Sequence, residues 1–131
     1  MHDNKQIVRD FLNASQIGDH ETMAILLHPD AEIREADSLP YAGVYHGLEG
    51  FLNLVKTVFT SFRDTKVKIE DIIGEGDMVI VLASLSGYSK HSDERFRMPV
   101  AEVWRVVDSR IRSITPYYFD TARLSTLAVT V

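Results

Sequence analysis

The hydrophobic positions of the chain change their spacing near residue 64. Before this point, apolar residues recur every three or four positions, which is typical of amphipathic helices. After it, the apolar positions alternate with polar ones or run continuously, which is typical of strands. The predicted helices are 3–16, 19–27 and 48–61. The predicted long strands are 65–73, 78–88, 95–107 and 110–119.

Short turn-forming segments separate the four long strands and predict an antiparallel meander, with Asp108-Ser109 as the tightest turn. A short strand is expected at 31–35, a loop at 36–50 and a short helix at 121–127. Helices followed by a long sheet indicate an α+β domain. The strand 95–107 is apolar on both faces, and three helices can cover only one of them. We therefore expect a homodimer formed through the other face of the sheet.

The composition narrows the class of protein. The chain has 131 residues, no cysteine and a formal net charge of -5, which argues against non-specific nucleic-acid binding. No apolar run is long enough to span a membrane, and the start of the sequence lacks a signal-peptide pattern. A single cytoplasmic domain covering residues 1–131 is the expectation. The five histidines form no metal-ligand pattern, so neither a metal nor another cofactor is expected.

Two carboxylates are the main candidates for chemistry. Glu102 shares a strand face with Val100, Trp104 and Val106, where an unpaired charge is costly to bury. Either an arginine or a hydroxyl satisfies it, as in an edge or salt-bridged glutamate, or it is protonated or poised in a cavity. Glu35 ends the short strand and is solvated unless the fold places it opposite Glu102. Two carboxylates in differently polar surroundings can act as base and hydrogen-bond donor.

Aromatic and apolar side chains would complete such a site. Tyr117 could donate its hydroxyl to a ligand oxygen, or it could be a core or rim residue. The same alternatives hold for the tyrosines of the loop 36–50. The expected walls of a ligand pocket for a small apolar molecule are Phe11, Tyr41, Tyr45, Phe51, Val55, Trp104 and Phe119.

Six segments, in this order, resemble the nuclear transport factor 2-like superfamily, in its SnoaL-like, ketosteroid-isomerase-related branch. They are FLNASQIGD, LLHPDAEIRE, YAGVYHGLEGF, GDMVIVL, MPVAEVWRVVDSRI and PYYFDTA. The resemblance implies a cystatin-like cone, or conical half-barrel, in which a strongly bent, mostly antiparallel sheet wraps around the N-terminal helices. It also implies an apolar cavity open at one end and, in many relatives, dimers formed through the sheet.

The resemblance to steroid isomerases implies a base at Glu35 and a hydrogen-bond-donating acid at Glu102. Their oxyanion tyrosine corresponds to Phe11, so Tyr117 or Tyr45 would have to replace it. Limonene-type epoxide hydrolases and SnoaL-type cyclases keep an aspartate where this chain has Tyr117, which argues against both activities.

Two functions remain open from the sequence. In the first, the protein is a cofactor-independent isomerase or lyase that acts on a small apolar carbonyl compound through Glu35 and Glu102. In the second, it is a non-catalytic module that binds an apolar ligand or a partner, or a scaffold whose cavity is filled by Trp104 and the phenylalanines.

Overall fold

The computed structural model describes residues 3–128, which form four helices and one curled, unclosed sheet of six strands. The helices are α1 (Asn4–Ile17), α2 (His20–Leu26), α3 (Gly47–Ser61) and α4 (Thr121–Ala128). The strands are β1 (Leu27–Glu35), β2 (Gly43–His46), β3 (Arg63–Glu75), β4 (Met78–Tyr88), β5 (Arg95–Val107) and β6 (Arg110–Tyr118). The α+β class and the meander of the last four strands are confirmed.

Local signals determine where the first two helices begin and end. The Asp3 carboxylate accepts a hydrogen bond from the Lys5 amide at the start of α1. Gly18 ends α1 in the left-handed conformation, with φ of 73°, which glycine adopts without steric cost. Asp19 then accepts from the Thr22 amide and begins α2.

The sheet has the order β2-β1-β6-β5-β4-β3. Only the pair β1–β6 is parallel, and the other neighbours are antiparallel. Helix α3 contacts β1 and β2 at one edge of the sheet and β3 at the other edge. Because one helix reaches both edges, the sheet curls around it, which is the conical half-barrel that the resemblance implies.

Two irregularities in strand pairing change which side chains face the helices. Between Ile69 and Asp71 the register of β3 against β4 shifts by one residue. The register of β5 against β6 shifts between Arg105 and Val106, so that Arg112 of β6 has no opposite residue on β5. A bulge of this kind reverses the face of every residue beyond it. The simple alternation predicted for β3 is therefore wrong beyond Ile69, and Ile72 packs inward instead of Ile73.

Several predicted boundaries need correction. The first strand begins at Leu27, not Ala31, because His28 and Pro29 lie at its start, where proline is tolerated. The predicted loop 36–50 contains β2 and the first turn of α3. None of the helices within residues 3–128 combines the length and the apolar character needed to cross a lipid bilayer.

Candidate functional site

A cavity of about 130 Å³ lies between α3 and the concave face of the sheet. Most of its lining is aliphatic or aromatic: Leu12, Ile33, Phe51, Leu54, Val55, Val58, Phe59, Val67, Ala83, Leu85, Val100, Trp104, Ile114 and Pro116. Phe59 on α3 and Val67 on β3 are solvent-exposed, so the cavity opens between these two elements. Its remaining lining residues are Glu35, Glu102 and Tyr118.

Glu102 faces the cavity from the middle of β5, on the same strand face as Val100 and Trp104. Residues two apart on a strand are neighbours on one face. The Trp104 indole accordingly donates its Nε1–H to Glu102 Oε1 at 3.1 Å. Burial raises the pKa of Glu102 to about 7, although the bond from Trp104, which favours the ionised form, acts in the opposite direction.

Glu35 is at the end of β1 and is only 3% exposed. Tyr118 donates its hydroxyl to Glu35 Oε2 at 3.2 Å, and Oε1 has no hydrogen-bond partner within residues 3–128. Burial raises the pKa of Glu35 to about 8 against the opposing effect of the Tyr118 bond, and the negative charge of Glu102 raises it further. Both carboxyl groups therefore change charge near neutral pH.

Tyr41 lies behind Tyr118, with the two rings edge to face at 6.3 Å between centroids. The Tyr41 hydroxyl is buried and has no hydrogen-bond partner in the described part of the chain. Burial raises the pKa of both tyrosines, so both hydroxyls keep their protons at neutral pH. The Tyr45 hydroxyl donates to the Tyr41 carbonyl at 2.9 Å and braces this side of the site. Tyr41 and Tyr45 thus support the cavity from outside its lining.

The expectation that Tyr117 faces the cavity is wrong. Tyr117 pairs with Ala101 on the outer face of the sheet and is 62% exposed, whereas Tyr118 pairs with Val100 and faces inward. An uninterrupted register from the turn at Asp108-Ser109 would place Tyr117 opposite Val100. The bulge at Arg112 moves this register by one residue and exchanges the two tyrosines.

Two further expected ligand contacts are also misplaced. Phe119 is 79% exposed and lies just beyond Tyr118, the last residue of β6. Phe11 is fully buried behind the cavity, where its ring packs edge to face against Phe51 and Trp104 at 5.0 and 5.8 Å. Phe51, Val55 and Trp104 do line the cavity, as expected.

The inward position of Tyr118 could have been found from one signal in the sequence. Ile111 and Ile114 are three residues apart, and both are buried. Two apolar residues at odd spacing on a strand cannot share a face unless a bulge lies between them. Counting forward from Ile114 in steps of two then places Pro116 and Tyr118 on the inner face.

The described residues that line the cavity include no lysine, arginine or histidine. Within residues 3–128, no group of three or more histidine, aspartate or glutamate side chains is arranged to hold a metal ion. The chemistry that this lining offers is proton transfer and hydrogen bonding by two carboxyl groups and one phenol in apolar surroundings.

Comparison with known proteins places this fold. An NTF2-like protein of Burkholderia thailandensis has a TM-score of 0.84 and 26% identity, with 99% of this chain and 100% of that chain covered. IdmH of Streptomyces antibioticus, a proposed polyketide cyclase, has a TM-score of 0.72 and 23% identity, with 98% and 100% covered. TerC, crystallised with polyporic acid, has a TM-score of 0.79 and 18% identity, with 95% and 97% covered.

No curated protein shows a significant sequence match to the chain. The family model of the SnoaL-like domain matches residues 8–114, which include both cavity carboxylates. This match spans most of the chain and agrees with the folds of the solved structures. The chain therefore belongs to the SnoaL-like domain family of the nuclear transport factor 2-like superfamily.

Proposed function

We propose that the protein is a cofactor-independent isomerase or lyase that acts on a small apolar carbonyl compound. The observation that carries this proposal is the presence of Glu35 and Glu102 in one apolar cavity, with pKa values of about 8 and about 7. Perturbed carboxyl groups that share a cleft are typical of acid–base sites. Solved relatives described as a proposed polyketide cyclase and as a complex with polyporic acid support a small-molecule ligand.

In this proposal Glu102 is the base and Glu35 is the donor, the reverse of the roles that the resemblance to steroid isomerases implies. The Trp104 N–H can only donate, so it stabilises Glu102 as an anion. Glu35 is the less solvent-exposed of the two and is largely protonated at pH 7. Since Oε2 accepts the hydrogen bond from Tyr118 and Oε1 has no partner within residues 3–128, we assign the proton of the neutral acid to Oε1.

The reaction then follows from the positions of the protons. Glu102 removes a proton from the carbon next to the substrate carbonyl, and the electron pair of that C–H bond moves onto the carbonyl oxygen. The Glu35 carboxyl donates a hydrogen bond to the resulting enolate oxygen, and Tyr118 holds Glu35 in place. In an isomerase, Glu102 returns the proton to a different carbon, so the carboxyl groups end the cycle as they began.

Exchange of carbon-bound hydrogen tests this function with simple model ketones in place of the natural substrate. Proton NMR in D₂O follows the loss of the α-hydrogens from neutral cyclic ketones. Glu102→Gln should slow exchange by about 10²–10⁴-fold because the base is lost, and Glu35→Gln should slow it through the weaker donor. Glu32→Gln, at an exposed position of the same strand as Glu35, is the matched control. Equal exchange by all three variants and the unmodified chain would contradict the proposal.

A non-catalytic binding module is the second candidate, and Phe11 is the observation that favours it. The residue that corresponds to the oxyanion tyrosine of steroid isomerases has no hydroxyl and lies in the core. Native mass spectrometry of freshly purified protein would detect a retained apolar ligand. Retention that is unaffected by Glu102→Gln, without any α-hydrogen exchange, would support binding alone.

We further propose that two copies of the chain pair through the outer face of the sheet. Ile80, Val103 and Ala101 are only half-buried at its centre. Around them lie exposed hydrophobic side chains: Ile73, Leu82, Val107, Tyr117 and Phe119. Exposed apolar side chains grouped on one face often mark an interaction surface, and a second copy of the chain is a common partner.

A further inference from the structure

The size of the cavity limits what it can hold. Its volume of about 130 Å³ is below the roughly 300–1,000 Å³ of most ligand sites. An apolar cavity of about 150 Å³ in another protein holds one benzene molecule. This volume therefore matches a single six-membered ring, and two fused rings exceed it.

The inner wall has little freedom to widen. Phe51 and Trp104 form part of the lining, and Phe11 packs against both from behind. Phe11 is fully buried, so any outward movement of these rings would have to displace closely packed core. A larger ligand would gain room only on the side of Phe59 and Val67, where the cavity opens.

The charge of the lining selects among ligands of this size. Glu35 and Glu102 are its two ionisable carboxyl groups, and no described lining residue is a cation. A ligand carboxylate would lose its hydration and meet negative charge without a compensating partner, which is costly in an apolar site. The carboxyl groups of Glu35 and Glu102 in the lining suit one carbonyl oxygen and the hydrogen beside it.

We propose, building on the isomerase or lyase function above, that the substrate is a carbonyl compound that bears no carboxylate and has a single ring or equal bulk. The charge of the lining disfavours carboxylated compounds, and the enclosed volume holds one ring, so a second fused ring would have to remain in the opening between Phe59 and Val67. The SnoaL-like fold thus holds, in this chain, a site for a smaller molecule than a multi-ring compound.

Three probes of matched chemistry test the ligand class by binding alone. They are cyclohexanone, cyclohexanecarboxylate and 2-decalone, titrated into ¹⁵N-labelled protein and followed by amide shifts around the cavity. Cyclohexanone should bind at least about ten-fold more tightly than each of the other two. Equal or tighter binding of either of them, or no binding of cyclohexanone at 50 mM, would overturn the proposal.

Two variants test whether cavity volume and lining charge cause the ligand selectivity. Val55→Ala shortens a half-buried side chain on α3 and so enlarges the cavity. It should reduce the preference for cyclohexanone over 2-decalone several-fold and leave the carboxylate excluded. Glu102→Gln should reduce the preference over cyclohexanecarboxylate and leave the preference over 2-decalone unchanged. If Val55→Ala leaves the preference over 2-decalone unchanged and Glu102→Gln leaves the preference over cyclohexanecarboxylate unchanged, volume and charge are not the causes of the selectivity.

The ligand class and the proposed reaction fail separately. Selective binding of cyclohexanone without α-hydrogen exchange would refute the isomerase or lyase and leave the ligand class standing. Exchange that occurs only with 2-decalone or another fused-ring ketone would refute the ligand class and leave the reaction standing.

Discussion

At the scale of single residues, the two cavity carboxyls differ in what surrounds them. Glu102 accepts a hydrogen bond from the Trp104 indole, a group that only donates. Glu35 accepts one from the Tyr118 hydroxyl through Oε2, and its Oε1 has no partner within residues 3–128. Hydrogen bonds to the charged form lower a carboxyl pKa and burial raises it. Burial is the main cause of the raised pKa in both groups, to about 8 for Glu35 and about 7 for Glu102, and the charge of Glu102 raises that of Glu35 further. Because the two groups interact, a pH–rate profile would report values that belong to the pair.

Glu35 should make the stability of the protein depend on pH. Its pKa rises from an ordinary 4.5 to about 8 on folding, so between these values the folded state holds a proton that the unfolded chain has released. The free energy of unfolding should therefore fall as pH rises from 4.5 to about 8. Glu35→Gln should remove about 2–4 kcal/mol of this fall, measured as urea unfolding at pH 5 and pH 9.

The control for this prediction is Glu32→Gln, which changes an exposed glutamate of the same strand. It should keep the pH dependence of the unmodified protein. A Glu35→Gln variant that keeps the same dependence would mean that Glu35 ionises as readily in the folded as in the unfolded chain.

At the scale of secondary-structure elements, the bulge in β6 decides which tyrosine reaches the site. The register before Arg112 would place Tyr117 inward, and the register after it places Tyr118 inward. One extra residue thus moves a hydroxyl from the solvent-facing side of the sheet to the cavity.

A pair of substitutions checks this placement. Tyr118→Phe removes the hydrogen bond to Glu35 and should raise the pKa of Glu35 above about 8, since the lost bond stabilises the ionised carboxylate. Tyr117→Phe, one residue away on the outer face, should leave it unchanged. Carbon-13 NMR titration of the glutamate carboxyl groups measures both, and an equal effect of the two variants would contradict the register.

The start of α3 depends on a close contact with β1. Gly47 has φ of 63°, and a Cβ added there would lie 2.8 Å from the Pro29 carbonyl oxygen. This contact fixes where α3, and hence one wall of the cavity, leaves the sheet.

Gly47→Ala should cost about 2–4 kcal/mol of unfolding free energy, through backbone strain together with overlap against Pro29. Gly76→Ala is the matched control, because Gly76 has φ of 58° but open space around it. It should cost only about 1–2 kcal/mol, the strain of the left-handed conformation. Urea unfolding measures both, and equal losses would show that the Pro29 contact gives way freely.

At the scale of the whole molecule, helices pack against one face of the sheet, and no element within residues 3–128 covers the other face. The inner face holds the core and the cavity. The outer face presents apolar side chains from β3 to β6, and the proposed homodimer would bury them.

Leu82→Glu should separate such a dimer, because it places a charge at the centre of the outer face. Sedimentation equilibrium should then give 14.8 kDa in place of twice that mass. Ile17→Glu is the control, since Ile17 is a highly exposed apolar residue on α1, away from this face. A monomeric unmodified protein, or a Leu82→Glu variant that remains dimeric, would contradict the proposed interface.

The sequence by itself determined most of the elements and one half of the site. Periodicity placed three helices and the four long strands, since amphipathic spacing reports which face is buried. The pattern of β5 selected Glu102, because a carboxylate on the same strand face as Val100, Trp104 and Val106 is costly to bury unpaired. The resemblance then added Glu35, which local pattern alone treats as a solvated residue.

Only the tertiary structure decided the remaining parts of the site. The spacing of Ile111 and Ile114 signals a bulge, but only the pairing between β5 and β6 fixes it at Arg112 and thereby selects Tyr118 over Tyr117. The volume of the cavity depends on how α3 and the ring of Phe11 pack against the curled sheet. The raised pKa values of Glu35 and Glu102 follow from their burial in the cavity that forms when the sheet curls around α3. Pairing and burial of this kind join residues distant in the chain, and for that reason the sequence pattern does not contain them.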